Sequence, residues 1–401
     1  MTENRYEKSN LMKYKMLYTM IILLVYLIGK SLPLYGVDLA VYRGQGVNSE
    51  ALLTQTISGD LYQCSIFALG ISPFMLSSLL VQLVSAFQSK EAKARTSPNK
   101  VSRITMLVTL VFAHLQAIYR VRRLCFVDQE GLLWLQVTAV FEMVAGAMMI
   151  LWLSERNKQY GIGGQTMLIF VNIVDGLMAM LIGHTAEELA VPVGVSLIVL
   201  VIIIFMENTE LRIPVQRISI HNIYADKNYM AIKLNPIGVM PVMFSTAFFM
   251  LPQLLLSGLN YLFPENAEMA WWQENMTLDN PLGIGIYILI VYFLTIFFSM
   301  VFINPGDTTE QFLKSGDSIL NVHAGRDTKR YLTARMLRLG ILSATVMSVC
   351  IGVPMALHLT GKVDSTLVML PSSVMMLTGI WCNLYREYEA LRDLEAYRPF
   401  I

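Results

Sequence analysis

PLGIGIYILIVYFLTIFFSMVFI, residues 281–303, runs for 23 positions without a charged side chain. A helix needs about 20 mostly apolar residues to cross the hydrocarbon of a bilayer, and a helix apolar on every side has no place on a water-soluble surface. This stretch therefore predicts a membrane-spanning helix. Working outward from it, comparable runs occur at 16–32, 72–87, 101–118, 131–153, 165–182, 189–206, 238–256, 336–357 and 365–382. The runs at 101–118 and 165–182 are interrupted by His114 and Asp175. Composition agrees, since 55% of the 401 residues are apolar and only 15% are charged, against roughly 25% charged in soluble domains. At about 20 residues per crossing this supplies on the order of ten spans. The expected fold is all-α and polytopic, with ten transmembrane helices. Disorder, a collagen repeat and a disulfide scaffold are excluded, and a net charge of +1 offers nothing to nucleic acid.

Lysine and arginine set the orientation. The N-terminal tail, the even-numbered connections and the C-terminal tail together hold 23 of them, and the odd-numbered connections hold five. The positive-inside rule places both termini in the cytosol. Arg120, Arg122 and Arg123 run against this rule, and a further span near them is the expected weak point of the topology. Cys64, Cys125, Cys350 and Cys382 are scattered without CxxC spacing, so neither a zinc site nor a redox pair is expected. No GxxxxGK[ST] motif occurs, and Gly161, Gly163 and Gly164 read as a tight turn. His114, Glu142 and Asp175 sit on three different spans with no catalytic spacing, which favours polar contacts between helices over enzyme chemistry.

Three connections are longer than a turn requires. Residues 207–235 include LRIPVQRISI (211–220), an alternating stretch that reads as a strand or hairpin. Residues 304–335 are polar and basic, and both connections suit either a partner contact or plain solvated loops. Between the first two spans, NSEALLTQTISGDLYQCSIFALG (48–70) is too polar for lipid. It reads either as a short helix inside a protein-lined cavity or as an external loop.

Several segments together resemble the SecY family of protein-conducting channels. They are GKSLPLYGVDLA (29–40), GDLYQCSIFALGISPFMLSSLLVQL (59–83), WLSERNKQYGIGGQTMLIF (152–170), IKLNPIGVMPVMFS (232–245), VFINPGDTTEQFLKSGDSI (301–319) and REYEALR (386–392). The order is preserved over nearly the whole chain. The resemblance implies two inverted pseudo-symmetric halves, 1–183 and 184–401, around an hourglass pore. It implies an apolar ring of Ile71, Met75, Ile169, Met243 and Leu367, and a plug at about 50–65 including Glu50, Leu53, Ile57 and Ser65. It places a lateral gate between spans two and seven, with Ser77, Ser78, Gln82 and Gln116 as its polar residues. Motor docking would fall on Arg212, Arg217, His323, Arg326 and Lys329. LNVHAGRD (320–327) departs from the family's PGxRPG-like element, with His323 at the arginine position. This and the short loops resemble the accessory branch, which implies a SecA-like ATPase, a SecE-like small membrane subunit and export of a serine-rich glycosylated adhesin. No cofactor is implied. A housekeeping channel, a small-molecule transporter and an intramembrane enzyme are the competing readings, and no catalytic constellation supports the last.

Overall fold

The computed structural model describes residues 11–38, 41, 64–88, 96–127, 131–182, 184–216, 228–262, 267–361, 363–364 and 366–396. In chain order the helices are α1 (Leu11–Ser31), α2 (Ser72–Phe87), α3 (Pro98–Val121), α4 (Leu132–Tyr160), α5 (Gly164–Leu181) and α6 (Ala186–Asn208). The strands β1 (Glu210–Gln216) and β2 (Tyr229–Lys233) follow, then α7 (Met240–Leu262), α8 (Ala267–Asn275), α9 (Pro281–Ile303) and α10 (Pro305–Ser315). Strand β3 (Ser318–Ile319), α11 (Arg326–Leu359), a 3-10 turn (Leu367–Met369) and α12 (Leu370–Ala396) complete the chain. Every one of the ten hydropathy runs lies on a helix. Eight of those helices are long and apolar enough to cross a membrane, so this is a multi-pass membrane protein.

Local chemistry sets the helix ends. Pro98 and Pro281 occupy first-turn positions, where a missing N–H costs nothing. Ser97 accepts the Lys100 N–H at 3.3 Å, and Thr185 with Glu188 forms a capping box at α6. Gly163 and Gly164, at φ +75° and +48°, make the sharp turn between α4 and α5. α2 has 16 residues, about 24 Å of helix, which is short of the hydrocarbon thickness of about 30 Å. Its approach is a run of turns over 65–70, with Phe67, Ala68 and Leu69 at most 2% exposed. Irregular backbone at this depth is tolerable because protein surrounds it.

The largest apolar cluster joins α1, α2, α4, α5, α6, α7, α9, α11 and α12. A second packs the 64–69 turns against α3 and α4. The third lies under a three-stranded antiparallel sheet in the order β2-β1-β3, where Ile213, Ile232 and Ile319 meet Leu332 and Met336 of α11. Helices α9 and α11 pack along each other, as do α6 and α12. The first five helices meet the rest where α2 touches α7 and where α1 and α5 touch α12. Outer faces remain greasy, for example Leu17, Met20 and Leu24 on α1 and Leu197, Val201 and Phe205 on α6. In water such faces would aggregate, whereas lipid solvates them.

Two expectations are corrected. Residues 304–335 are not an open loop: α10 and β3 occupy most of the first part, and α11 begins at Arg326, ten residues before the hydropathy run at 336. Its polar first turns extend beyond the apolar stretch and are invisible to a hydropathy scan. Near Arg120, no additional span is found among the described residues. Arg120 is 5% exposed and gives its Nη1–H to the Ala68 carbonyl at 2.7 Å, while Arg123 lies 4.4 Å over the Tyr119 ring. Arg120 thus ties the end of α3 to the 65–70 turns, and Arg123 packs on a ring of that helix.

Candidate pore and docking sites

Four elements deliver the proposed ring residues to the large cluster. Ile71 precedes α2, its carbonyl accepting from Met75 N–H at 3.0 Å, after a left-handed Gly70 at φ +54°. Ile169 comes from the second turn of α5. Met243 opens α7, its N–H reaching Val239 O at 3.3 Å, behind Gly238 at φ +69°. Leu367 begins the 3-10 turn with its N–H on Asp364 O at 3.1 Å. All five are between 1 and 4% exposed and belong to one contiguous apolar cluster. That cluster is much larger than five residues, so membership alone does not single out a ring.

A mixed polar cavity of 830 Å³ opens at the sheet end of the bundle, lined by Phe74, Ser154, Glu155, Lys158, Gln165 and Glu387 among others. Phe74 and Ser154 also line the adjoining crevice that reaches Gly70 and Ile71. That crevice has no room for a water molecule, so the polar cavity stops short of Ile71, the residue just before α2.

The polar residues of span two divide between two neighbours. Ser77 Oγ lies 2.5 Å from Thr109 Oγ1, so it binds α2 to α3. Ser78 donates to the Met75 carbonyl of its own helix at 2.9 Å, and Gln82 is half-buried. Gln116 of α3 is 1% exposed and donates Nε2–H to Ser72 Oγ at 3.2 Å. Ser72 Oγ in turn lies 4.0 Å from Met250 Sδ on α7. Among these, only Gln116 continues, through Ser72, to the α2–α7 contact.

At the sheet, the Arg212 guanidinium lies 4.7 Å over the Tyr229 ring. The His323 carbonyl accepts the Thr328 hydroxyl at 2.8 Å, closing the turn into α11. Arg326 opens that helix after Gly325 at φ +91°, and Lys329 N–H bonds Gly325 O at 3.1 Å. Arg326, Lys329 and His323 thus share one corner beside the sheet. Arg217, Glu50, Leu53 and Ile57 lie outside the described residues. Ser65 is buried and forms a β-bridge with Pro33.

The SecY family model matches residues 65–385. The chain belongs to the SecY family. Among its relatives, the accessory Sec system protein translocase subunit SecY2 of Streptococcus sanguinis is 29% identical over 399 residues, covering 96% of this chain and 97% of that protein. The same subunit of Streptococcus agalactiae is 28% identical over 398 residues, with 97% and 96% covered. A solved protein conducting channel superposes with a TM-score of 0.70 at 17% identity, over 96% of this chain and 93% of that one. Sec61 in the canine ribosome-channel complex from the endoplasmic reticulum gives 0.62 at 16% identity, with the same coverage. At those identities the structural likeness is one of fold.

Two polar nodes of this SecY-family chain join distant segments. In the first, Thr19 of α1 donates to Asn157 Oδ1 and accepts the Ile162 N–H, both at 2.9 Å. Asn157 Nδ2 donates to the carbonyls of Ile162 and Gly164, also at 2.9 Å. In the second, Glu207 at the end of α6 is fully buried and faces Asn235, Lys233 and Arg386. Of the ionisable groups within the spans, Asp175 and Glu142 join different segments, whereas His114 contacts its own helix. Asp175 pairs with Lys30, Glu142 Oε2 accepts the Tyr35 N–H at 3.1 Å, and His114 Nδ1 lies 2.8 Å from the Leu110 carbonyl of its own helix. One group of potential metal ligands, His184, Glu188 and Asp364, has its ligand atoms within 4.8 Å of one another. Glu188 is already engaged in the α6 cap, accepting Thr185 N–H at 3.2 Å.

Proposed function

We propose that this chain is the central channel subunit of a bacterial plasma-membrane protein translocase of the accessory Sec kind, and that it conducts unfolded polypeptide outward without covalent chemistry. The observation that supports it best is the polar 830 Å³ cavity, separated from Ile71 and the apolar cluster by a crevice too narrow for water. A conduit for unfolded chain must pass diverse side chains and still stop ions. Apolar side chains at a constriction exclude water when empty and deform around a chain when it is threaded. Methionine at positions 75 and 243 suits that task, being unbranched and adaptable. In this reading Ile71, Met75, Ile169, Met243 and Leu367 form the collar. The segment at about 50–65 seals it, and the contact of α2 with α7 opens laterally. The halves are 1–183 and 184–401.

The sheet end faces the cytosol, as the basic residues require. A SecA-like ATPase docks on the sheet and on the start of α11, through Arg212, Arg217, His323, Arg326 and Lys329. A SecE-like subunit lies along α1, whose greasy face borders a 390 Å³ groove shared with Met167, Trp381 and Tyr388. The substrate in this reading is a serine-rich glycosylated adhesin, as the sequence resemblance to the accessory branch implies.

The test is a stalled export substrate carrying a photocrosslinker. In a chain whose four native cysteines are replaced, single cysteines at 71, 75, 169, 243 and 367 should be protected from a thiol reagent and should capture the substrate. Met75→Asp with Met243→Asp should make the resting channel leak ions. A stalled chain that touches none of these positions, or a double variant with unchanged conductance, overturns the assignment.

A further inference from the structure

Glu207 stands where four parts of the chain converge. Its carboxylate is 1% exposed at the last turn of α6. Oε1 accepts the Asn235 Nδ2–H at 3.1 Å, and Asn235 Oδ1 accepts the Ser343 hydroxyl of α11 at 2.9 Å. Oε2 faces two cations, Arg386 Nη1 of α12 at 3.6 Å and Lys233 Nζ of β2 at 3.9 Å. Arg386 also donates to the backbone carbonyl of Glu207, adding a cation at the negative end of α6. Gly238, at φ +69°, lets the chain pass close to Glu207; a Cβ there would lie 3.2 Å from Oε1.

The short segment 234–239 has two ends with different duties. One end follows the edge strand β2 of the cytosolic sheet and is held by Leu234 N–H on Thr209 O at 2.9 Å. The other end is the start of α7, where Val239 fits against Gly379 of α12 and Met243 follows one turn later. Asn235 lies between them and is 1% exposed. Movement of the sheet therefore reaches α7 through a residue that Glu207 holds.

We propose that Glu207 is a positioning residue that keeps the start of α7 against α12 in the shut channel and releases it when the cytosolic sheet is displaced. The inference rests on the channel reading above. A buried charge suits a two-position device. Lys233 is about one-third exposed, while the carboxylate is shut away from water. Arg386 Nη1 is itself buried, so removing that charge leaves it facing a neutral amide, while Arg386 keeps its bond to the Glu207 carbonyl and Lys233 can turn to water.

The experiment uses the full chain in proteoliposomes with a membrane-impermeant ion probe. Glu207→Gln keeps the shape and an acceptor for Asn235, and it should raise resting ion flux about tenfold, the shift expected when charge-assisted contacts present only in the shut state are lost. A tether then separates positioning from general loosening. A Cβ on Gly379 would lie 3.1 Å from the Val239 Cβ, a few tenths of an ångström inside the separation of about 3.5–4.5 Å that a disulfide needs, so the two segments part slightly to form one. In a background without native cysteines, Val239→Cys with Gly379→Cys should form a disulfide that returns the Glu207→Gln flux to the wild-type level when oxidised and restores the leak when reduced. Unchanged flux in Glu207→Gln overturns the proposal, and so does a leak that the tether does not close. Met75→Asp with Met243→Asp serves as the reference. If that variant leaks and Glu207→Gln does not, only the role of Glu207 falls; if neither leaks, the channel reading fails with it.

Discussion

Replacing Asn157 with alanine removes three side-chain hydrogen bonds at once: the one from Thr19 and those to the Ile162 and Gly164 carbonyls, each 2.9 Å long. Asn157 is fully buried. Hydrogen bonds between side chains in membrane proteins contribute about 0.6 kcal/mol on average and up to about 1.7, and burial raises the cost of leaving partners unpaired. Three bonds therefore predict a loss of about 2–4 kcal/mol. Gly163 and Gly164 border the wet cavity, so water can rescue part of the orphaned backbone, which places the expected value near 3 kcal/mol. Thr19→Val removes the donor to Asn157 and the acceptor of the Ile162 N–H, predicting about 1.5 kcal/mol. The two variants share one bond, so the double variant should be less destabilised than their sum by about 1 kcal/mol. Reversible unfolding in mixed detergent and dodecyl sulfate micelles, followed by tryptophan fluorescence, measures all three. A loss below about 1 kcal/mol for Asn157→Ala, or additivity within about 0.3 kcal/mol, would refute the claim that this residue fastens α1 to the α4–α5 turn.

Gly146→Ala on α4 opposes two effects. Alanine is the better helix former by about 1 kcal/mol, but its Cβ would fall 2.1 Å from the Ile66 carbonyl oxygen, a backbone atom that must move. The clash should win, and the same unfolding assay should show destabilisation; a gain in stability would show that the 65–70 turns shift freely. Reversing Arg326 and Lys329 to glutamate should lower the affinity of the motor ATPase by tenfold or more at low salt, and progressively less as salt screens the surface charges. Unaltered binding in a sedimentation assay removes that corner from the docking surface.

Hydropathy located the membrane helices well because lipid burial is a composition effect, visible within a window of about 20 residues. The strand in LRIPVQRISI was equally legible, since Ile213 and Val215 alternate with exposed neighbours over a half-buried sheet. What stayed hidden was pairing across the chain. Thr19 meets Asn157 over 138 residues, Arg386 meets Glu207 over 179, and Arg120 reaches Ala68 over 52. Nothing local distinguishes such residues from topogenic charges or loop polars. Arg386 was legible only as one more basic residue of the C-terminal tail. Ser77 adds another such pairing, its Oγ lying 2.5 Å from Thr109 Oγ1 on α3. The family resemblance named the collar residues, and the structure places all five in the interior without singling them out from their neighbours.

Helix α11 has 34 residues, about 51 Å at 1.5 Å per residue, and so outruns the hydrocarbon by roughly 20 Å. Its first turns, packed against the sheet through Leu332 and Met336, bear Arg326 and Lys329, and its middle contributes Met347, Cys350 and Ile351 to the interior wall. Between them Gly340 rests against Ser299 of α9, close enough for a fulcrum. One unbroken helix thus joins the basic corner at the sheet to the interior wall, so a displacement at one end would carry to the other.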